Sequence, residues 1–250
     1  MKSLIVTADD VGLHPGMTEG AIRGHLAGIV TACSLVANGV AFDDAVGRLR
    51  DVPTLEVGVH LTLVEERPLT KMRFPRKWPM FVPLYLARRI SLAAIETELR
   101  AQIERVLATG LRVTHLNSHQ HLHVLPALFS IVLRLAADYR IPYIRTVDDR
   151  GGRAPVARRL AVGALSRLGR RVRGTNTRTI GVLEAGHLRD LVPLLDHVDG
   201  ITELVTHPGV DVAGYAWGYD WDSETRALCD PRLPEELSRR GIRLTVPSKA

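Results

Sequence analysis

Lys2–Gly12 reads KSLIVTADDVG, a short apolar run that ends directly on two adjacent acids, Asp9 and Asp10. The run Leu4–Ala8 has the length and composition of a strand, with apolar residues on consecutive positions as in strands buried on both faces. The same kind of run recurs at Thr31–Ala37, Glu56–Leu63, Val113–Asn117, Tyr143–Val147, Thr179–Leu183, Glu203–Thr206 and Ile242–Val246. Helix-like stretches fall between them. Thr18–Ala27 is one. Leu92–Leu107 repeats its apolar residues at three and four, with Ser91 placed to cap its start and Gly110 just past its end. Pro126–Tyr139, Pro155–Val172, Gly186–His197 and Pro234–Arg240 complete the set. This alternation predicts one α/β domain over residues 1–250, with a closed (β/α)-type barrel favoured over an open doubly wound sheet.

One segment breaks the pattern. Between about residues 65 and 90 lie Pro68, Pro75, Pro79 and Pro83, together with Phe74, Trp78, Phe81 and Tyr85. Prolines at these spacings argue against a regular helix, so the segment reads as an insertion after the third strand. It is either a loop packed on its own rings or a lid over a substrate.

Composition narrows the function classes. The 250 residues are 46% apolar with a mean hydropathy of +0.04, which excludes global disorder. By area scaling such a chain exposes roughly 11,000 Å² when folded, enough for a self-sufficient core. No apolar run reaches the length of a membrane span. The start MKSLIVTADD lacks the long apolar stretch of a secretory signal, so a cytoplasmic protein is expected. Cys33 and Cys229 form no metal or redox motif. A Gly-rich dinucleotide fingerprint and a Walker loop are both missing from the sequence. The net charge is +6, and Arg153–Arg173 holds seven Arg and no acid. No nucleic-acid-binding motif accompanies that excess, so it reads as a solvated helix face and no nucleic-acid partner is expected.

The chemistry-bearing residues cluster at strand ends. Asp9 and Asp10 follow the first strand and His60 lies in GVHLTL. His115, His119, His121 and His123 lie in THLNSHQHLH, and His207 lies in THPG. In a (β/α) barrel the carboxyl ends of all strands meet on one face, so these four segments would converge. Alone, the acid pair could cap a helix and His60 could be a core residue. The alternate histidines are harder to read that way. If that segment is extended, His119, His121 and His123 share a face; if it turns helical, His119 and His123 do. An Asp with two His is a ligand set for a divalent hydrolytic ion. Such an ion lowers the pKa of its water and polarises a carbonyl, while the second acid takes a proton and another His supplies one. The pattern accommodates metal-assisted hydrolysis of an amide or ester.

The segments LIVTADDVGLHPGM, GIVTACSLVANG, VGVHLTLVEERPLT, THLNSHQHLHVLPAL, IPYIRT and ELVTHPG cover most of Lys2–Gly209. In sequence and order they resemble the YdjC-like carbohydrate deacetylases, also called the ChbG/HpnK family. The resemblance implies a deformed (β/α) barrel of about seven or eight strands, related to polysaccharide deacetylases. It implies removal of an N-acetyl group from an amino sugar with one divalent metal ion, Zn²⁺ or Mg²⁺, with Mn²⁺ and Co²⁺ also compatible. Carried over by position, Asp9 is the general base and His207 the general acid, while Asp10, His60 and His119 hold the metal. Arg145, in YIRT, is expected to tune Asp9 or hold substrate, and His123 to contact substrate, although His121 and His123 could equally be ligands or ligand partners. Trp217, in GYAWGYDWDSE, is expected to stack on a sugar or pack under the last helix. Two positions depart from the family's habit: Val11 stands where Phe often follows the acid pair, and Asn117 where Asp often precedes the Ser-His step. The family acts on chitooligosaccharides in one branch and on a glucosaminyl hopanoid lipid in another. The Arg-rich helix and the aromatic insertion would suit a glycolipid presented at an anionic membrane, as a peripheral contact, and a homo-oligomer is compatible. Two other readings stand beside this one. They are a metal-dependent phosphoesterase and a sugar- or lipid-binding protein without turnover.

Overall fold

A computed structural model describes residues 2–149, 154–172, 174–215 and 217–250. In chain order the elements are β1 (Lys2–Val11), α1 (Pro15–Leu26), β2 (Ala32–Leu35), α2 (Phe42–Arg50) and β3 (Glu56–Leu61). Next come α3 (Trp78–Leu86), α4 (Leu92–Leu107), β4 (Val113–Ser118), α5 (Pro126–Asp138) and β5 (Tyr143–Ile144). The chain continues with α6 (Val156–Gly169), β6 (Arg178–Ile180), α7 (Val192–Leu195) and β7 (Ile201–Thr206). It ends with α8 (Trp221–Leu228), α9 (Leu233–Arg239) and β8 (Ile242–Leu244).

All strand pairs are parallel, in the order β5-β4-β3-β2-β1-β7-β6, with β8 added against the start of β1. The result is a curled half-barrel. Its two ends, β5 and β6, are joined without a regular ladder, by the backbone bonds Thr175 N–H to the Ile144 carbonyl and Thr179 N–H to the Asp148 carbonyl and by side chains. Asn176 accepts from the Thr146 backbone N–H at 2.6 Å and donates to the Thr146 carbonyl at 3.0 Å. Thr179 adds a hydroxyl donation to that same carbonyl at 2.5 Å. These bonds satisfy backbone groups that an unclosed edge would leave bare.

The two faces of the sheet differ in chemistry because strand side chains alternate. Leu4, Val6 and Ala8 of β1, Val57, Val59 and Leu61 of β3 and Leu116 of β4 point to the helices and join the main apolar core. The inward face carries Thr7, Ser34, His115, Asn117, Tyr143 and Glu203, all fully buried. Gly58 is required there, since a Cβ would lie 2.3 Å from the His115 ring.

Several boundaries differ from the sequence reading. The Pro-rich insertion contains a nine-residue helix, α3. Pro79 sits in its first turn, where no helical N–H is needed, and Pro83 is only one turn further on. The stretch expected as Gly186–His197 is helical only at Val192–Leu195, and α2 and α8 were not anticipated. By contrast α4 begins at its Ser91 cap, whose hydroxyl accepts from the Ala94 N–H at 3.3 Å, and stops before Gly110. Buried Glu98 and Gln102 of α4 tie down the flanks of the insertion by accepting from the N–H groups of Leu69, Thr70 and Thr62. Arg153 and Arg173, the ends of the Arg-rich segment, lie outside the described residues.

Candidate active site

At the carboxyl ends of β1, β3, β4 and β7, Asp9, Asp10, His60, His119 and His207 line one cavity of about 590 Å³. Regular strand geometry would send adjacent Asp9 and Asp10 to opposite faces. A bulge prevents this. Ala8 pairs with Cys33 and Val11 with Leu35, so β1 carries an extra residue between the two pairs. Asp10 absorbs the distortion in the left-handed region, at φ 64°. Both carboxylates then face the cavity.

Asp10, His60 and His119 each offer a ligand atom, and those atoms all lie within 4.8 Å of one another. His60 Nδ1 donates to Asn117 Oδ1 at 2.7 Å. Its other nitrogen, Nε2, faces Asp10 Oδ1 at 3.2 Å. With Nδ1 engaged by the Asn117 carbonyl oxygen, Nε2 is the ring atom oriented to ligate a cation beside Asp10, as a partner on the other nitrogen fixes the ring of a metal-binding imidazole. His119 Nδ1 lies 2.9 Å from Asp10 Oδ1 and its Nε2 lies 3.2 Å from Glu65 Oε2. Burial disfavours charge on His119, but Asp10 and then Glu65 outweigh it and hold the imidazole pKa up to about 10. The donor set fits a divalent ion: one carboxylate, two imidazoles and remaining room in the cavity.

Asp9 is held differently. Arg145 donates to both of its oxygens, at 2.5 and 2.9 Å, and Asn117 Nδ2 adds a third donation at 3.2 Å. Burial would raise the Asp9 pKa, but Arg145 and then His60 drive it well below the ordinary carboxylate range. Asp9 is thus ionised at any working pH. Arg145 is also fixed from the other side by Glu203, which accepts from its Nε at 2.9 Å and from Nη2 at 2.8 Å. Glu203 in turn accepts from Thr7 at 2.7 Å and Tyr143 at 2.8 Å.

This network separates the two roles expected of Arg145 and corrects the one expected of His123. Arg145 is entirely buried beneath Asp9, with its guanidinium shared between two carboxylates, and does not line the cavity, which fits the tuning of Asp9 and not the holding of substrate. His123 also lies in the core. Its Nε2–H donates to the Arg145 carbonyl at 2.9 Å and its Nδ1 accepts from Ser118 at 2.7 Å, which leaves no ring nitrogen for a sugar. The chain reverses after β4 through Gln120 and His121, at φ 54° and 53°. That turn brings His121 to the cavity instead. Its Nδ1 has no protein partner among the described residues, and burial keeps the ring well below the ordinary histidine pKa.

His207 sits on the loop after β7, pressed against α1. A Cβ on Gly20 of α1 would lie 2.4 Å from the Gly209 backbone nitrogen, so only glycine allows this approach. Its backbone N–H donates to Glu224 of α8 at 2.5 Å, and its ring meets Tyr219 with 5.3 Å between centroids. Burial lowers the His207 pKa, with Asp10 and Asp9 pulling the other way. Glu224 is fully buried, and that burial pushes its carboxyl up to about 8. Neither Glu203 nor Glu224 announces itself in the sequence, since each is a lone acid in a strand or helix. Trp217 packs against His119 at 5.4 Å between ring centroids, while Tyr219 is the ring of its segment that lines the cavity.

Residues 3–239 match the YdjC-like protein family. The chain belongs to that family. Over 260 residues, 96% of this chain and 94% of the relative, it is 33% identical to a carbohydrate deacetylase of Geobacillus stearothermophilus. Over 259 residues, 97% of each, it is 31% identical to a chitooligosaccharide deacetylase of Citrobacter koseri. A carbohydrate deacetylase of Brevibacillus brevis is 39% identical over 148 residues, an alignment spanning 56% of this chain and 57% of that protein. A solved protein from Enterococcus faecalis V583, described as a candidate for cellobiose-phosphate cleavage, shares the fold. It has a TM-score of 0.74 and 24% identity, covering 99% of this chain and 98% of that one. In this YdjC-like chain the strand-end side chains stand at the carboxyl ends of a half-barrel where the strand pattern favoured a closed barrel.

Proposed function

We propose that this YdjC-like protein is a metal-dependent hydrolase that removes an N-acetyl group from an acetylated amino sugar. The observation that carries the reading is the shared cavity wall: Asp9, Asp10, His60, His119 and His207, from four strand ends, all face one space. Asp10, His60 and His119 would hold the ion, whose chemistry is to polarise the acetyl carbonyl and acidify water. Imidazole-rich donors favour Zn²⁺ or Co²⁺ over Mg²⁺, which prefers oxygen. Asp9, kept ionised by Arg145, accepts the proton of the attacking water. His207 gives a proton to the departing amine nitrogen. His121 and Tyr219 offer polar contacts for the sugar on the same wall.

The other wall favours a glycolipid over a plain oligosaccharide. Ala157, Ala161, Val162, Ala164, Leu165 and Leu168 of α6 line the cavity, as does Val82 of α3. A sugar chain of several rings presents hydroxyls that such a surface would leave unpaired, whereas an apolar aglycone such as a hopanoid would be matched by it. The test is acetate release from N-acetylglucosamine oligomers and from an N-acetylglucosaminyl polyisoprenoid or hopanoid lipid, with the divalent metal varied. Asp9→Asn should abolish release while retaining the ion, and His60→Ala should lose both. Release of phosphate from phosphoesters in place of acetate, or wild-type release by both variants, would overturn the reading.

A further inference from the structure

Two of the helices that line the cavity look alike in one respect. Both α3 and α6 lie in segments rich in cations and empty of acids. Residues 67–95 contain Arg67, Lys71, Arg73, Arg76, Lys77, Arg88 and Arg89 and no Asp or Glu. Residues 154–183 contain Arg158, Arg159, Arg167, Arg170, Arg171, Arg173 and Arg178, again with no acid. Lys71, Arg73, Lys77, Arg88, Arg89, Arg159, Arg167 and Arg171 are exposed, and none forms an ion pair among the described residues. Elsewhere many surface arginines are paired, as in Arg23–Glu19, Arg100–Asp138, Arg134–Glu96 and Arg232–Asp230, while Arg50, Arg112 and Arg140 stand singly without an ion pair among the described residues. The positive excess is thus concentrated on the segments that border the cavity.

The same two helices expose apolar side chains. On α3, Trp78 and Val82 line the cavity and Phe81 is buried, while Met80 and Leu86 stand 61% and 67% exposed. On α6, one face lines the cavity and the neighbouring face leaves Val156 and Leu160 74% and 70% exposed. Large apolar side chains on a rim, with unpaired cations beside them, are costly in water and match a lipid headgroup boundary. A nucleic acid would use the cations but leave Met80, Leu86, Val156 and Leu160 in water.

We infer that α3 and α6 form a docking surface for an anionic lipid bilayer, seating the mouth of the active-site cavity against the membrane. The inference deepens the glycolipid reading by naming where that substrate would be met, but it rests on the surface itself. Membrane binding is measured without turnover, so the two can fail separately.

The experiment is co-sedimentation of the full chain with vesicles of phosphatidylcholine alone and with an added third of phosphatidylglycerol, at low and high salt. Binding is expected to need the anionic lipid and to weaken with salt, because each cation near such a surface contributes roughly fivefold. Arg88→Gln with Arg89→Gln should then weaken binding by about an order of magnitude or more. Met80→Ser with Leu86→Ser and Leu160→Ser should also weaken it severalfold at fixed charge. Both sets are exposed, so circular dichroism and release of acetate from a soluble substrate should match the wild type. No sedimentation with either vesicle would overturn the docking surface. So would loss of binding on charge removal with no effect of the apolar set, or binding to heparin with none to vesicles.

Discussion

Arg145→Met tests the charge arrangement beneath the site. In the native protein the guanidinium makes four N–H···O contacts, two to Asp9 and two to Glu203, and all three side chains are buried. Methionine keeps much of the volume and removes the charge, leaving two carboxylates in a space built for a cation. Breaking a buried pair in this way typically costs about 3–5 kcal/mol. A domain has only about 5–15 kcal/mol of stability, so the variant should fold but unfold at much lower urea. The pH dependence is the sharper signature. Native Asp9 titrates below its unfolded value, so its contribution is present above the ordinary carboxylate range and is lost as pH falls through the lower native pKa. Without Arg145, burial dominates and the folded pKa moves above the unfolded one. The folded variant then binds a proton that the unfolded chain does not, and it regains stability as pH falls. Each unit of that displacement is worth about 1.4 kcal/mol. Urea unfolding at pH 8, 7, 6 and 5, followed by tryptophan fluorescence, should show the gap between wild type and variant closing toward acid. Turnover at pH 7 should fall as well, since a protonated Asp9 accepts nothing. A gap that stays constant with pH, or one below about 1 kcal/mol, would refute the assignment of Arg145 as the counter-charge.

Two further expectations concern the ligands and the acid. Because Asp10 and Glu65 keep a proton on His119 up to about pH 10, loading a divalent ion at pH 7 should release close to one proton. Calorimetry in buffers of different ionisation enthalpy reads this directly, and a signal independent of buffer would count against His119 as a ligand. His207 must carry a proton to act as an acid, and burial lowers its pKa, so kcat/KM should decline as pH rises past a point below the ordinary histidine value. His207→Ala should lose that limb along with most of the rate; a variant that keeps the limb would reassign the acid.

Much of the half-barrel could be read from strand-length apolar runs that end on polar residues, because a parallel sheet buries its strands and exposes their carboxyl ends. α4 was legible from its cap, its period and its terminal glycine. The limits were physical. A helix that starts at Lys77 with Pro79 in its first turn does not look helical to a rule that counts prolines. The burial of Arg145 depends on Glu203, which lies 58 residues away and has no spacing signature. The placing of His121 at the cavity and His123 in the core follows from two left-handed residues, which no periodicity predicts. The departure at Asn117 also gains a reason. Its amide donates to Asp9 and accepts from His60, and a carboxylate there could not make both bonds.

The bulge in β1 matters most for the chemistry. With both carboxylates on one face, the two neighbours take different charges as partners: Asp9 is matched by Arg145, and Asp10 meets only imidazoles. Across the buried cluster three carboxylates, Asp9, Asp10 and Glu203, stand against one guanidinium, a deficit of two positive charges if the histidines are neutral. A divalent ion at Asp10 cancels it, while a monovalent ion or one protonated imidazole cancels half. Asp10→Asn should therefore lower affinity for a divalent ion far more than Asp9→Asn does, although the two residues are adjacent. Equal losses in a metal titration would mean that the bulge does not divide the pair into a ligand and a base.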